Sequence, residues 1–324
     1  MRNHLISTLD HRATSDPMLF FLTGDLGYGV IENFSQNHPR QFLNTGIAEQ
    51  AMTGIAAGLA ASGYKPWIYS IANFPTFRCL EQIRNDICYH NLDVTIVAIG
   101  SGFSYGTLGY SHFGIEDLSV MQSLPGMRVF CPASVLELDT ILEECFQTVG
   151  PKYLRIDKSV GVTHKPLSAP RDSVWTYKRT PNSKISLLTS GTILDEAMRA
   201  AAILEGYKIS VEVFSLPFFQ SSCLPKSVLE NRDVFTIEEH SLKGGLFTLV
   251  SEVLAEGSIR ARLHGIGVRQ EKLKVTGSQE FLRKVHGIDG SGIALHVLSR
   301  LNDVEPPSGI EPETFALRER RSTD

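Results

Sequence analysis

Short, unbroken apolar runs alternate along this chain with longer helical patterns, and no other feature of the sequence limits its fold so strongly. Met18–Thr23, Val94–Ile99 and Arg128–Phe130 read as strands, and Ile47–Ser62, Thr76–His90 and Val135–Val149 read as helices. Strands that alternate with helices form βαβ crossovers, and hence a parallel sheet. The apolar runs carry no in–out alternation, as expected of strands covered by helices on both faces.

The chain has 324 residues, long for one ordinary domain and comfortable for two. Periodicity lapses across Asp157–Asn182, a stretch rich in Pro, Ser, Thr and Lys and punctuated by Pro166, Pro170 and Pro181. Residues 161–182 therefore read as a linker. A second series follows, with strands Ile185–Thr189, Ser210–Phe214, Asp233–Glu238 and Arg262–Gly267 and helices Ile193–Glu205, Leu246–Ala255, Ser278–Val285 and Gly290–Leu301. The expected fold class is α/β, with two parallel-type three-layer domains at 1–160 and 183–304. Residues 305–324 turn to Pro, Glu, Arg and Ser and read as a disordered tail.

A net charge of -4 with scattered Lys and Arg leaves no electrostatic footprint for nucleic acid or an anionic membrane. The apolar runs fall well short of the roughly 20 residues of a membrane span. Met1-Arg2-Asn3-His4 lacks the apolar core of a signal peptide, so a cytoplasmic protein is expected. Five cysteines without a Cys-x-x-Cys pair argue against a disulfide framework and a zinc site.

The stretch richest in chemistry is Asn44-Thr45-Gly46-Ile47-Ala48-Glu49-Gln50-Ala51-Met52, running into Thr53-Gly54-Ile55-Ala56-Ala57-Gly58-Leu59-Ala60. It sets one carboxylate in the first turn of a helix that is otherwise small or apolar. Such a helix is buried and permits close approach of other chain. Glu49 is then a buried acid, costly unless it has a dedicated partner. The alternative for Glu49 is a helix N-terminal acid stabilised by the macrodipole.

Gly46-Ile47-Ala48-Glu49-Gln50, Ala56-Ala57-Gly58-Leu59-Ala60 and Gly63-Tyr64-Lys65-Pro66 together resemble the pyrimidine-binding domain of the transketolase and 1-deoxyxylulose-5-phosphate synthase family. The resemblance extends in order and spacing to about Asn302. It implies that Glu49 hydrogen-bonds N1′ of the aminopyrimidine of thiamine diphosphate, tuning a cofactor that performs the carbon chemistry. Tyr69–Gln82 is similar to the segment whose aromatic residue stacks on that ring, a role open to Phe74 or Phe77, with Arg78 in the same cofactor-binding segment. Gly109–Asp117 resembles the turn whose histidine lies beside the reacting carbon, so His112 is expected to contact substrate and assist proton transfer. Glu116 and Asp117 are expected to brace that turn. Gly150–Ile156 resembles a strand whose arginine reaches substrate hydroxyls or phosphate, implying that role for Arg155. Asp25, at the end of the first strand, resembles the polar residue near the thiazolium. Thr236–His240 and Gly244-Gly245-Leu246 resemble the family's C-terminal domain, to which no chemistry is assigned.

Two departures bear on function. The family's diphosphate and magnesium site, a Gly-Asp-Gly with a later Asn, belongs to a preceding domain, and Gly24-Asp25-Leu26 with Asn44 only echoes it. No metal ligand is therefore assigned to this chain. Mg²⁺ and the diphosphate are expected on a partner, an N-terminal diphosphate-binding subunit in an α₂β₂ assembly. The second departure is Leu108, which stands where the sugar-phosphate enzymes place a hydroxyl-reading Asp; Gly100-Ser101-Gly102 likewise lacks a transketolase histidine.

The leading reading is the C-terminal subunit of a split transketolase moving a two-carbon ketol unit between sugar phosphates. The rivals are a synthase-like condensation of pyruvate with an aldehyde, the β subunit of a 2-oxoacid dehydrogenase first component, and a non-catalytic assembly subunit. A Cys–His hydrolase has no Cys in an activated setting.

Overall fold

A computed structural model describes residues 1–170 and 173–301; the expected tail at 305–324 lies outside them. The first sheet contains β1 (Leu19–Thr23), β2 (Phe42–Asn44), β3 (Lys65–Ile71), β4 (Thr95–Ile99), β5 (Arg128–Phe130) and β6 (Lys152–Ile156). They lie in the order β2-β1-β3-β4-β6-β5, all parallel. The second sheet contains β7 (Trp175–Lys178), β8 (Ile185–Thr189), β9 (Glu212–Ser215), β10 (Asp233–Ile237) and β11 (Arg262–Ile266). Its order is β11-β10-β8-β9-β7, parallel except where β7 runs against β9. The α/β class with two sheets is thus as the alternating pattern requires.

Strands β4, β6 and β8 are buried along their whole length, which explains their lack of alternation. Two differences from the sequence reading have local causes. The segment 161–182, expected to be a linker without strand, contains β7. Its four residues, Trp-Thr-Tyr-Lys, are too few to show a period and are held by pairing with β9. The helix expected over Thr76–His90 is instead a turn at Asn73–Thr76, a turn at Leu80–Gln82 and a π-helical turn at Ile83–Cys88. The segment follows Pro75, which donates no backbone hydrogen bond, and wide π turns break regular periodicity.

Strand order reverses direction in the first sheet between β1 and β3, because β2 lies on one side of β1 while β3 and β4 lie on the other. Ligands of open parallel sheets bind beyond the carboxyl ends of the strands at such a point. The segments that leave β1, β2, β3 and β4 there are Gly24–Gly29, Thr45–Ala48, Ala72–Cys79 and Gly100–Glu116.

Candidate active site

Glu49 opens the helix Glu49–Ala61 directly after Ala48, which provides no side-chain cap. Its carboxylate is 5% exposed. The positive end of the helix dipole and one cation stabilise it there: Arg78 Nη1 donates to Glu49 Oε1 at 3.2 Å. Arg78 is itself 51% exposed in its side chain, so this is a buried acid reached by a movable base. The Arg78 guanidinium also lies over the Phe74 ring, 4.1 Å from its centroid. The other edge of the cluster is His112, whose ring meets Phe74 edge-on at 5.3 Å. Glu49, Arg78, Phe74 and His112 therefore form one continuous group assembled from three separate loops.

His112 ends a short 3₁₀ turn, Tyr110–His112, and its Nδ1 lies 3.0 Å from Ser111 Oγ. Partial burial, and secondarily the Arg78 charge, hold the imidazole below its ordinary pKa. It is accordingly neutral at pH 7 and able to take up a proton. Phe77 points elsewhere: it is 41% exposed. Asp25 sits in a left-handed backbone conformation, φ 59°. Its carboxylate accepts from Asn44 Nδ2 at 3.1 Å and Tyr28 OH at 2.8 Å, and these bonds hold it below the usual carboxylate range. Gly24 links it to Glu49, since a Cβ on Gly24 would lie 3.6 Å from Glu49 Cγ. Asp25 and Asn44, the echo of a magnesium motif, bond to each other instead.

Arg155 requires a correction. The side chain expected to reach substrate is 2% exposed and faces inward. Its Nε donates to Asp117 Oδ2 at 2.9 Å, and its Nη2 donates to the carbonyls of Gly114 at 2.5 Å and Glu239 at 3.1 Å. Tyr153 OH adds a second bond to Asp117 Oδ2 at 2.7 Å. An arginine enclosed by internal acceptors has no donor fork to offer a substrate. It joins the two sheets behind the His112 turn, where Asp117 is the bracing acid expected from the sequence.

Residues 1–161 match the family model described as the transketolase pyrimidine binding domain, and residues 175–293 match that of the transketolase C-terminal domain. One of the two subunits of an apulose-4-phosphate transketolase, from Actinobacillus succinogenes, is 32% identical over 281 residues, covering 83% of this chain and 88% of that protein. The chain belongs to the transketolase family. A putative transketolase C-terminal section from Methanocaldococcus jannaschii is 29% identical, covering 83% of this chain and 85% of that protein. Among solved structures, a split gene transketolase described as an inactive β4 tetramer has a TM-score of 0.79 at 29% identity, covering 93% of this chain and 97% of that one. The 1-deoxy-D-xylulose-5-phosphate synthase of Thioalkalivibrio sulfidiphilus is 32% identical over 92% of this chain but is covered for only 46% of its own length. Family membership accounts for both sheets and for the pyrimidine-binding label of the half that contains Glu49. Sequence reasoning missed the residues of the second domain that grip the first, notably Glu239 and Arg283. Their signal was the charged run Glu238-Glu239-His240 at the carboxyl end of a strand.

Proposed function

We propose that this chain is the C-terminal subunit of a split transketolase that binds the aminopyrimidine of thiamine diphosphate and works only with a partner subunit. One observation carries the proposal. Arg78 places a planar, nitrogen-bearing group on the face of Phe74 and donates from it to the buried carboxylate of Glu49. Those are the two contacts an aminopyrimidine needs, a ring to stack on and an acid to bind, so the residues present fit the cofactor. Arg78, half-exposed, is then the group that yields its place when the ring enters. Phe74 rather than Phe77 is the stacking residue.

When bound, thiamine diphosphate supplies the nucleophilic carbon that cleaves the bond beside a ketose carbonyl. Glu49 shares its proton with N1′ of the aminopyrimidine, Asp25 faces the thiazolium side, and neutral His112 exchanges a proton with substrate oxygen. Leu108 is 55% exposed three residues before Ser111, so the rim there is apolar.

The diphosphate and Mg²⁺ are assigned to an N-terminal partner subunit in an α₂β₂ assembly. Subunit-type relatives support this, and so does the outer face of the Glu49–Ala61 helix. That face exposes Gln50, Ala51, Gly54, Ile55 and Gly58, and a Cβ on either glycine would meet nothing within 4 Å. Ile47 beside it is 79% exposed and Tyr28 is 74% exposed. The synthase reading draws on the identity to the synthases, and adding pyruvate and an aldehyde to the assay separates the two reactions.

The test is Glu49→Gln in the complex of this chain with its N-terminal partner. Proton exchange at the cofactor's thiazolium, followed by NMR, should fall on the order of 10²–10⁴-fold while assembly is unchanged. An assembled variant exchanging at the wild-type rate refutes the assignment.

A further inference from the structure

The loop that presents His112, Gly100–Glu116, is built into the second domain as much as into the first. Phe103, Phe113 and Ile115 are fully buried within the hydrophobic cluster of the second domain, and Phe103 stacks on His286 at 4.8 Å. Three polar contacts from that domain fix the loop backbone. Glu239 Oε1 accepts from the Phe103 amide at 2.7 Å, Ser241 N donates to the Ile115 carbonyl at 2.8 Å, and Gly277 N donates to the Gly106 carbonyl at 3.2 Å. Within the loop, Gly102 and Gly114 exchange both of their backbone bonds, at 2.8 and 2.9 Å, so the Phe103 anchor is tied to the residue two after His112.

Glu239 is the costliest of these anchors to place there. It is a carboxylate 5% exposed at the junction of two domains. Arg283 fixes its other oxygen, with Nε donating to Oε2 at 2.9 Å and Nη2 at 2.6 Å, and Gln279 Nε2 lies 3.1 Å from Oε1. A Cβ on Gly102 would stand 2.5 Å from Glu239, so the loop backbone runs directly against the carboxylate. Plain cohesion between domains needs apolar area, and the cluster around Phe103 supplies it. An oriented, buried acid aimed at one amide fixes position.

We propose that Glu239 is a positioning residue for His112, so that the C-terminal domain enters the reaction through the loop it holds and not by touching substrate. The inference rests on the role given to His112 above. It is tested in the complex with the N-terminal partner, using xylulose 5-phosphate as donor probe, by a double-mutant cycle of Glu239→Gln and His112→Ala. Glu239→Gln should lower kcat about a hundredfold with KM unchanged, and should cost nothing further once His112 is alanine. Independent, multiplying losses overturn the proposal. In the full chain, NMR titration of the His112 imidazole should move toward the ordinary value near about 6.5 in Glu239→Gln, because the loop no longer holds the ring in place; an unmoved titration overturns it equally. If His112→Ala alone leaves kcat intact, the role of His112 fails, and the titration still decides whether Glu239 positions it. Should Glu239→Gln not assemble, Arg283→Lys, which keeps the carboxylate but removes its fork, carries the same cycle with the same expected outcome.

Discussion

Replacing Arg155 with Met separates a structural arginine from a substrate-binding one. The change keeps the length of the side chain and removes its charge. What it leaves behind follows from the geometry: Asp117, 0% exposed, keeps only the Tyr153 hydroxyl, and the carbonyls of Gly114 and Glu239 lose a donor. Among the described residues the Asp117 Oδ1 atom already lacks a hydrogen-bond partner and faces His240 Nε2 at 3.8 Å, so no neighbour there stands ready to compensate. Breaking one side of a buried pair costs about 3–5 kcal/mol, and two unit charges about 4 Å apart at an effective dielectric near 20 interact by about 4 kcal/mol, the same size. In a chain of this length that lowers the unfolding midpoint on the order of 10 °C. Circular dichroism melts of the isolated chain read it directly. Arg155→Met with Asp117→Asn should recover much of the loss, because removing both charges leaves no orphan. A single variant with the wild-type midpoint and a raised KM would show Arg155 touching substrate and refute the argument from burial.

Two further outcomes follow from named sites, beside those already given for Glu49 and Glu239. Gly54→Leu fills open space on the outer face of the Glu49–Ala61 helix, so the isolated chain should keep or slightly raise its midpoint, since glycine costs about 1 kcal/mol in a helix. Complex formation with the N-terminal partner, followed by sedimentation, should be lost; intact assembly would mean that this face is not the interface. Burial lowers the His286 imidazole to about 4. A histidine held neutral in the fold contributes stability that is present above its ordinary value and is lost as pH falls from about 6.5 toward 4. The buried acids Glu137 and Glu238, raised to about 7 and about 8, act in the opposite direction as pH rises through those values. Comparing urea unfolding of wild type and His286→Gln between pH 7 and pH 5 isolates the histidine, and the variant should lose up to about one proton of slope. An unchanged slope would contradict its burial.

The parts of this molecule legible in the sequence are those that local chemistry dictates. Ile185–Thr189 and Arg128–Phe130 stand where their apolar runs end, and the helix over Glu49–Ala61 begins at its acid. What the sequence concealed depends on distant pairing. Strand β7 exists because β9 offers it an edge, and the π turn at Ile83–Cys88 imitates a helix in every residue type. In the site, residue type pointed to Glu49 and His112 but could not choose between Phe74 and Phe77, because both precede Arg78 closely enough to share its turn. Only the guanidinium lying on one ring makes the distinction. Arg155 misled for a related reason: a forked cation at the end of a central strand suits a ligand or an internal carboxylate equally, and Asp117 is 38 residues away in the chain.

The same logic explains why the second domain showed no chemistry in its sequence. A domain that acts by holding another domain's loop needs no reactive side chain, only acids and amides at the right places, and Glu239 and Ser241 are ordinary as residue types. Their position is the information. Both follow β10, so the carboxyl end of the second sheet faces the carboxyl-end loop of β4 in the first, and the ligand edges of two parallel sheets meet. Parallel sheets concentrate their polar loops at that edge. Joining two such edges buries carboxylates that solvent would otherwise stabilise, which is why Asp117, Asp157, Glu238 and Glu239 are all enclosed at the junction. Each must then be matched by a donor from across it, as Arg155 and Arg283 do. A junction of that kind is stiff, and stiffness behind His112 is what a proton-transfer group working at a fixed distance requires.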